Sequence, residues 1–276
     1  MDVRADVLIR ASLAAHISAN ILTGFSEDFA LLSLGRWLRG FATNAMIVGV
    51  LEGFEYEHFK RLYGVTELAM AIGYISAYIA PKPLVYLLYT VASLQFLALK
   101  TQRTSRLTLT VSKSVVPIAF SEFFLHVGLA LTVPIALKLS AGEDLLPLAL
   151  SLAVLIRALA QLLSRKRFNA LSVAIFRAVE ALLLYSLSVT SGHIALTTYL
   201  VDNIIAGSYR PSVGFIIRKL AKRGGDLGFH YLLRDLGAFT GTLLGLGFPH
   251  IIFVILAVAY LLSSFILILI YYYFRI

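Results

Sequence analysis

The sequence predicts an all-α, polytopic membrane bundle of about ten spans, and three observations carry that prediction. Of its 276 residues 59% are apolar and only 14% are charged, with a mean hydropathy of +0.85. Apolar stretches of about twenty residues, the length that crosses a hydrocarbon core, succeed one another with little between them. The basic residues fall in alternate connecting loops, as they do when one set of loops is held on the cytoplasmic side.

The spans read as about 7–25, 29–54, 61–80, 83–100, 111–139, 144–164, 168–190, 193–218, 226–247 and 249–274. The first carries Arg10 and His16 and lacks a small-residue cleavage site, so it reads as a span and not as a signal peptide. Ser26, Glu27 and Asp28 break the chain before the second span, and Pro81 and Pro83 before the fourth. A polar stretch at 101–113 divides the chain into an N-terminal part, 1–100, and a C-terminal six-span part, 114–276. The last span ends in Tyr271, Tyr272, Tyr273, Phe274 and Arg275, an interfacial aromatic belt with a basic anchor.

Orientation follows from the loops. One set holds 16 of the 24 lysines and arginines, whereas the other holds only Lys82 and Lys138 beside Glu27, Asp28, Glu143 and Asp144. This places the multi-pass chain in the cell membrane with both termini in the cytoplasm. It also accounts for the net charge of +9, so nucleic acid is not needed as a partner. There is no cysteine, which excludes disulfides, thiolate nucleophiles and Cys-ligated metals. Neither H-E-x-x-H nor a Walker phosphate loop occurs, so the reading is not an enzyme, with no catalytic, cofactor or metal residues.

The informative residues are charges placed where they are costly. An ionisable group at mid-bilayer costs about 2.5–3.5 kcal/mol on insertion scales and usually faces the bundle interior. In the second span Arg36 and Arg39 share a face at helical spacing, and in the fifth Glu122 and His126 stand one turn apart. The eighth carries Asp202, Asn203, Tyr209 and Arg210 in a polar stripe that ends at Pro211. These eight residues are the expected solute or proton pathway. Arg36, Glu122, His126 and Asp202 are expected to face one shared polar space. Arg177 and Glu180, three apart on one helix, read as a pair that neutralises itself. His230, Arg234 and Asp235 read as interhelical glue, and His16, His193 and His250 as bland.

An offset of 168 residues lays Tyr63, Glu67, Leu68, Gly73 and Pro81 over Tyr231, Asp235, Leu236, Gly241 and Pro249, the pattern of an internal repeat. Gly237, Gly241 and Gly245 recur every four residues, which lets helix backbones approach closely. The segment from Leu32 to Ala42, with Gly35, Arg36 and Gly40, resembles the fourth-helix pattern L-x-x-x-R-x-x-Q-G-x-G of the major facilitator superfamily. Arg39 stands where that family often has glutamine. By this resemblance the ten spans correspond to family helices three to twelve, shortened at the N-terminus, and spans two, five and eight to cavity helices four, seven and ten. The resemblance implies two pseudosymmetric halves and secondary transport of a small solute by alternating access, with or without a coupled proton. The competing expectation is a non-transporting relative that acts as an assembly partner or sensor. Arg36 and Arg39 would border a flank that lacks two helices, so the flank is expected to be covered by homo-oligomerisation or by inward collapse.

Overall fold

The computed structural model describes residues 5–28, 80–94, 111–139, 146–164, 167–190, 192–222 and 224–276, together with scattered positions between 30 and 46 and residues 68 and 72. Among the described residues every regular element is helical. Helix α1 is Ala5–Phe25 and is followed by helical residues between 30 and 46. Helix α2 is Lys82–Ser93, begun by Pro81 at its N-cap with a second proline in the first turn, where a missing N–H costs nothing. Then come α3, Val116–Leu139, α4, Leu146–Leu163, and α5, Ala170–Ser186. The chain ends with α6, Gly192–Leu220, α7, Gly224–Gly247, a 3-10 turn at Pro249–Ile251, and α8, Ile252–Phe274.

Local chemistry explains several ends. The Ser172 N–H donates to the Asn169 side chain at 2.8 Å, capping the start of α5. Pro249 stops α7 from running on, so what reads as one span from 249 begins with a 3-10 turn before α8. Helix α6 has 29 residues and so measures about 44 Å, longer than the hydrocarbon core. It continues through Pro211 and delivers Arg218 and Lys219 to its far end.

Packing is set by absent side chains. A Cβ on Gly237 would lie 2.2 Å from the Phe123 carbonyl oxygen, and one on Gly241 2.3 Å from that of Val127, so α7 meets α3 backbone to backbone. Gly207 does the same between α6 and α4, where a Cβ would lie 2.3 Å from the Arg157 carbonyl oxygen. Helix α8 fits between α3 and α5, with the Tyr260 ring over Gly128. Helices α6 and α7 are consecutive yet choose different partners: α6 packs on α4 and α5, α7 on α3. A buried cluster joins Ile9 of α1 with Leu220, Leu267 and Ile270, tying the N-terminal helix to the rest.

The exterior is apolar. Leu182 and Ile194 are 68% exposed and Leu246 77% exposed, surfaces that a bilayer solvates and water does not. By length and hydropathy alone, only Asp6–Phe25 and Ile252–Phe274 among the described residues qualify as spans. Val116–Leu131 and Ser151–Leu163 are apolar too, over shorter described lengths.

Candidate functional site

The interior polar groups of α3, α5 and α8 converge on Arg177, which is wholly buried. One of its terminal nitrogens donates to the Ser121 hydroxyl at 2.8 Å and to the Ser263 hydroxyl at 2.5 Å; the other pairs with the Glu122 carboxylate. Ser121 in turn donates to the Ser263 carbonyl at 2.9 Å, and Ser264 to that of Ala174 at 2.7 Å. Ser121 and Glu122 come from α3, Arg177 from α5 and Ser263 from α8, so one guanidinium ties three helices together. The expected pairing of Arg177 with Glu180 is therefore corrected. A residue facing inward meets charges on other helices, and an ion pair across helices satisfies both groups better than one along a single face.

Glu180 takes a different partner, the Tyr209 hydroxyl, which donates to one of its carboxylate oxygens. The Tyr209 ring stacks on Phe176 with centroids 5.8 Å apart. The other oxygen of Glu180 is buried with no hydrogen-bond donor, and so is one oxygen of Asp202 on α6. Asn203, next to Asp202, spends its amide on the Tyr199 carbonyl at 2.9 Å and is buried.

Beside this network lies a cavity of about 120 Å³, room for a few waters or a small solute. Its polar wall consists of Glu122, His126, Arg177, Arg210, His230 and Arg234. His126 Nδ1 donates to the Glu122 carbonyl oxygen at 2.9 Å and lies 4.0 Å from its carboxylate. Arg234 stands over the Tyr231 ring at 4.5 Å and pairs with the exposed Asp235 at 3.1 Å. The cavity opens where α6 and α7 part company, between α3, α6 and α7.

Set against the sequence expectations, the structure brings together Glu122, His126 and Arg210 in one cavity and adds Arg177, His230 and Arg234, whose spacing reads as structural. Asp202, Asn203 and Tyr209 are buried behind that wall and do not line it. Arg36 lies outside the described residues. Arg39 is described: it donates to the Asn20 side chain at 2.9 Å and stands over the Tyr86 ring at 4.8 Å. Its charge is thus accommodated by α1 and α2 within one chain. Only facing could have revealed the roles of Arg177 and His230, since their spacing pointed elsewhere.

An apolar exterior, glycine-sealed helix pairs and a cavity with charged walls describe a polytopic membrane helix bundle. The whole chain is similar to three solved structures of that architecture. One is a bacterial homologue of the iron transporter ferroportin in an outward-facing state with soaked iron, at TM-score 0.69 and 13% identity over 97% of this chain and 83% of that one. Another is the human organic anion transporter MFSD10 (TETRAN), at TM-score 0.68 and 14% identity over 97% of this chain and 76% of that one. The third is the major facilitator superfamily transporter FucP in its outward conformation, at TM-score 0.65 and 10% identity over 98% and 82%. No protein-family model and no curated protein matches the chain by sequence. The fold is thus similar to that of major facilitator superfamily transporters, an all-α helical bundle.

Proposed function

We propose that the protein is a secondary transporter that moves a small solute across the cell membrane by alternating access, with both termini in the cytoplasm. The observation that carries the reading is the cavity itself. Six ionisable side chains from four helices line it inside a bilayer-spanning bundle, where each is costly unless it serves a pathway. Helix packing alone would be served by the neutral glycine seams that flank the cavity.

The wall chemistry narrows the solute. Three guanidiniums and two imidazoles face one carboxylate, and that carboxylate is already bonded to Arg177. Such a wall disfavours a bare divalent cation, and among the described residues no group of three metal-ligating side chains occurs. The fold similarity to an iron transporter homologue therefore does not extend to the cargo on this reading.

The test is electrical. The purified protein is reconstituted in vesicles on a solid-supported membrane and challenged with a panel of small anions, sugars, amines and cations. At least one class should give a saturable current or counterflow that falls about tenfold or more in His126→Ala and Arg234→Gln. A folded, monodisperse protein that responds to none of them is a sensor or assembly partner, and the transporter reading fails.

A further inference from the structure

We infer that Arg167 and Lys219, brought onto one aromatic ring where α5 begins and α6 ends, form a binding site for the headgroup phosphate of an anionic phospholipid. The site stands on the exterior of the bundle, apart from the cavity, and does not depend on the transport reading.

On α6 the residues Ser208, Ser212, Phe215 and Lys219 follow one another at helical spacing and so run along one face. The chain between α4 and α5 is fastened to this stripe at both ends. The Ser164 hydroxyl donates to the Ser208 carbonyl at 3.1 Å, and the Phe168 N–H donates to the Ser212 hydroxyl at 3.0 Å. Between the two bonds the sequence runs Arg165, Lys166, Arg167. A turn pinned on either side delivers Arg167 to the next place on the stripe: its guanidinium stands over the Phe215 ring, 5.2 Å from the centroid. The Lys219 ammonium stands 4.8 Å from the same centroid, and both cations are exposed.

One ring thus gathers two like charges from different elements. Like charges repel, and the face of a ring at an exposed site returns only about 0.5–1 kcal/mol to each cation. The acid nearest to Lys219 along the chain, Asp226, is wholly buried and spends its two carboxylate oxygens on the backbone N–H groups of Ser112 and Lys222. An anion between the cations relieves the repulsion and accepts charge-assisted hydrogen bonds from both, the guanidinium fork matching two oxygens of a phosphate.

The surroundings select a lipid. The Ala170 N–H donates to the Ile276 main-chain oxygen at 2.9 Å, which sets the end of α8 beside the start of α5. The tyrosines of that end, Tyr272 and Tyr273, are 70% and 79% exposed and mark the polar boundary of the bilayer, the level of lipid phosphates. Leu163, next to the basic turn, is 76% exposed and offers apolar surface to an acyl chain. Cations beside such surface recognise a molecule that is charged at one end and apolar at the other. Loop charge that only sets topology requires neither a pinned turn nor a shared ring. On the proposed topology the site faces the cytoplasmic leaflet.

The test uses the full chain, delipidated in detergent, with dioleoylphosphatidylglycerol as probe and dioleoylphosphatidylcholine as reference, bound lipid being counted by native mass spectrometry. Wild type should prefer the anionic lipid by about twentyfold, and Arg167→Gln and Lys219→Gln should each reduce that preference by about fivefold. Phe215→Leu, which keeps both charges and removes the ring that gathers them, should also reduce it. Lys222→Gln, which removes an equal charge close by, should leave it near wild type. No preference in wild type overturns the site, and so does an equal loss in Lys222→Gln, which would make the attraction one of bulk charge. Glycerol 3-phosphate bound as tightly as the lipid would make the ligand a soluble anion and overturn the lipid assignment. Should Arg167→Gln not fold, Lys219→Gln and Phe215→Leu decide against the same control.

Discussion

Arg177 is the side chain whose removal the interior can least absorb. It is fully buried, holds Glu122 and two serine hydroxyls, and links α3, α5 and α8. Arg177→Leu leaves Glu122 buried without its partner, and breaking a buried pair from one side costs about 3–5 kcal/mol. The expected outcome is a sharp drop in thermal unfolding midpoint and folded yield in detergent. Arg177→Leu combined with Glu122→Leu should recover much of that stability, since two apolar groups need no counter-charge, while solute transport stays lost. If the double variant is no more stable than the single one, the pair is not the source of the cost. The sequence showed that Glu122 was costly and therefore purposeful, but not which arginine it meets. Spacing along one helix ranks neighbours on that helix only, and Arg177 turns away from Glu180 toward α3.

At the scale of helices, glycine positions make the sharper prediction because neighbouring glycines on α7 sit in opposite surroundings. Gly237→Ala and Gly241→Ala would drive a methyl group into a backbone carbonyl on α3, an atom that cannot swing aside. Either should push the helices apart and destabilise the bundle by about 1–3 kcal/mol, in the range of overpacked cores. A Cβ on Gly228, earlier in the same helix, meets nothing within 4 Å. Gly228→Ala should therefore be neutral or stabilise by up to about 1 kcal/mol through helix propensity. Equal effects at Gly228 and Gly241, read by thermal unfolding of purified protein, would contradict the seam. The four-residue glycine spacing was legible in the sequence, because it needs only helical periodicity. Its partner was not, since nothing in α7 names α3. Where helices are described, span ends were legible to within a few residues, apart from the 3-10 turn at Pro249–Ile251, where one apolar run hides a break; the expected span 61–80 and most of 29–54 lie outside the described residues.

For the whole molecule, the fold was legible from hydropathy and from the pattern around Arg36, and the structural similarities agree with both. The absence of cysteine makes the proposed topology easy to examine, since single cysteines can be added with no background. Those at Ser105, Lys166 and Lys222 should react with an impermeant thiol reagent only from the cytoplasmic side, and those at Ser26, Gly142 and Ser191 only from outside. Two positions labelled from the wrong side would break the ten-span register. The candidate site was half legible: polar residues at mid-span stand out against an apolar background, but rotation about each helix axis decides which of them share a cavity. That rotation is set by packing partners. It is why His230 and Arg234 joined the wall and Asp202 fell behind it.

The two glycine seams also determine how force passes through the protein. Where α7 lies on α3 and α6 on α4, carbonyl meets Cα with no side chain between to rearrange, so each pair behaves as one stiff plank. The cavity lies between the planks, with Glu122, His126 and Arg234 on one side and Arg210 on the other, while Ile217 and Leu220 of α6 meet Leu227 and Tyr231 of α7 in one buried cluster. A solute that pulled the charged groups together would act across the space between two stiff bodies, with their length as its lever arm.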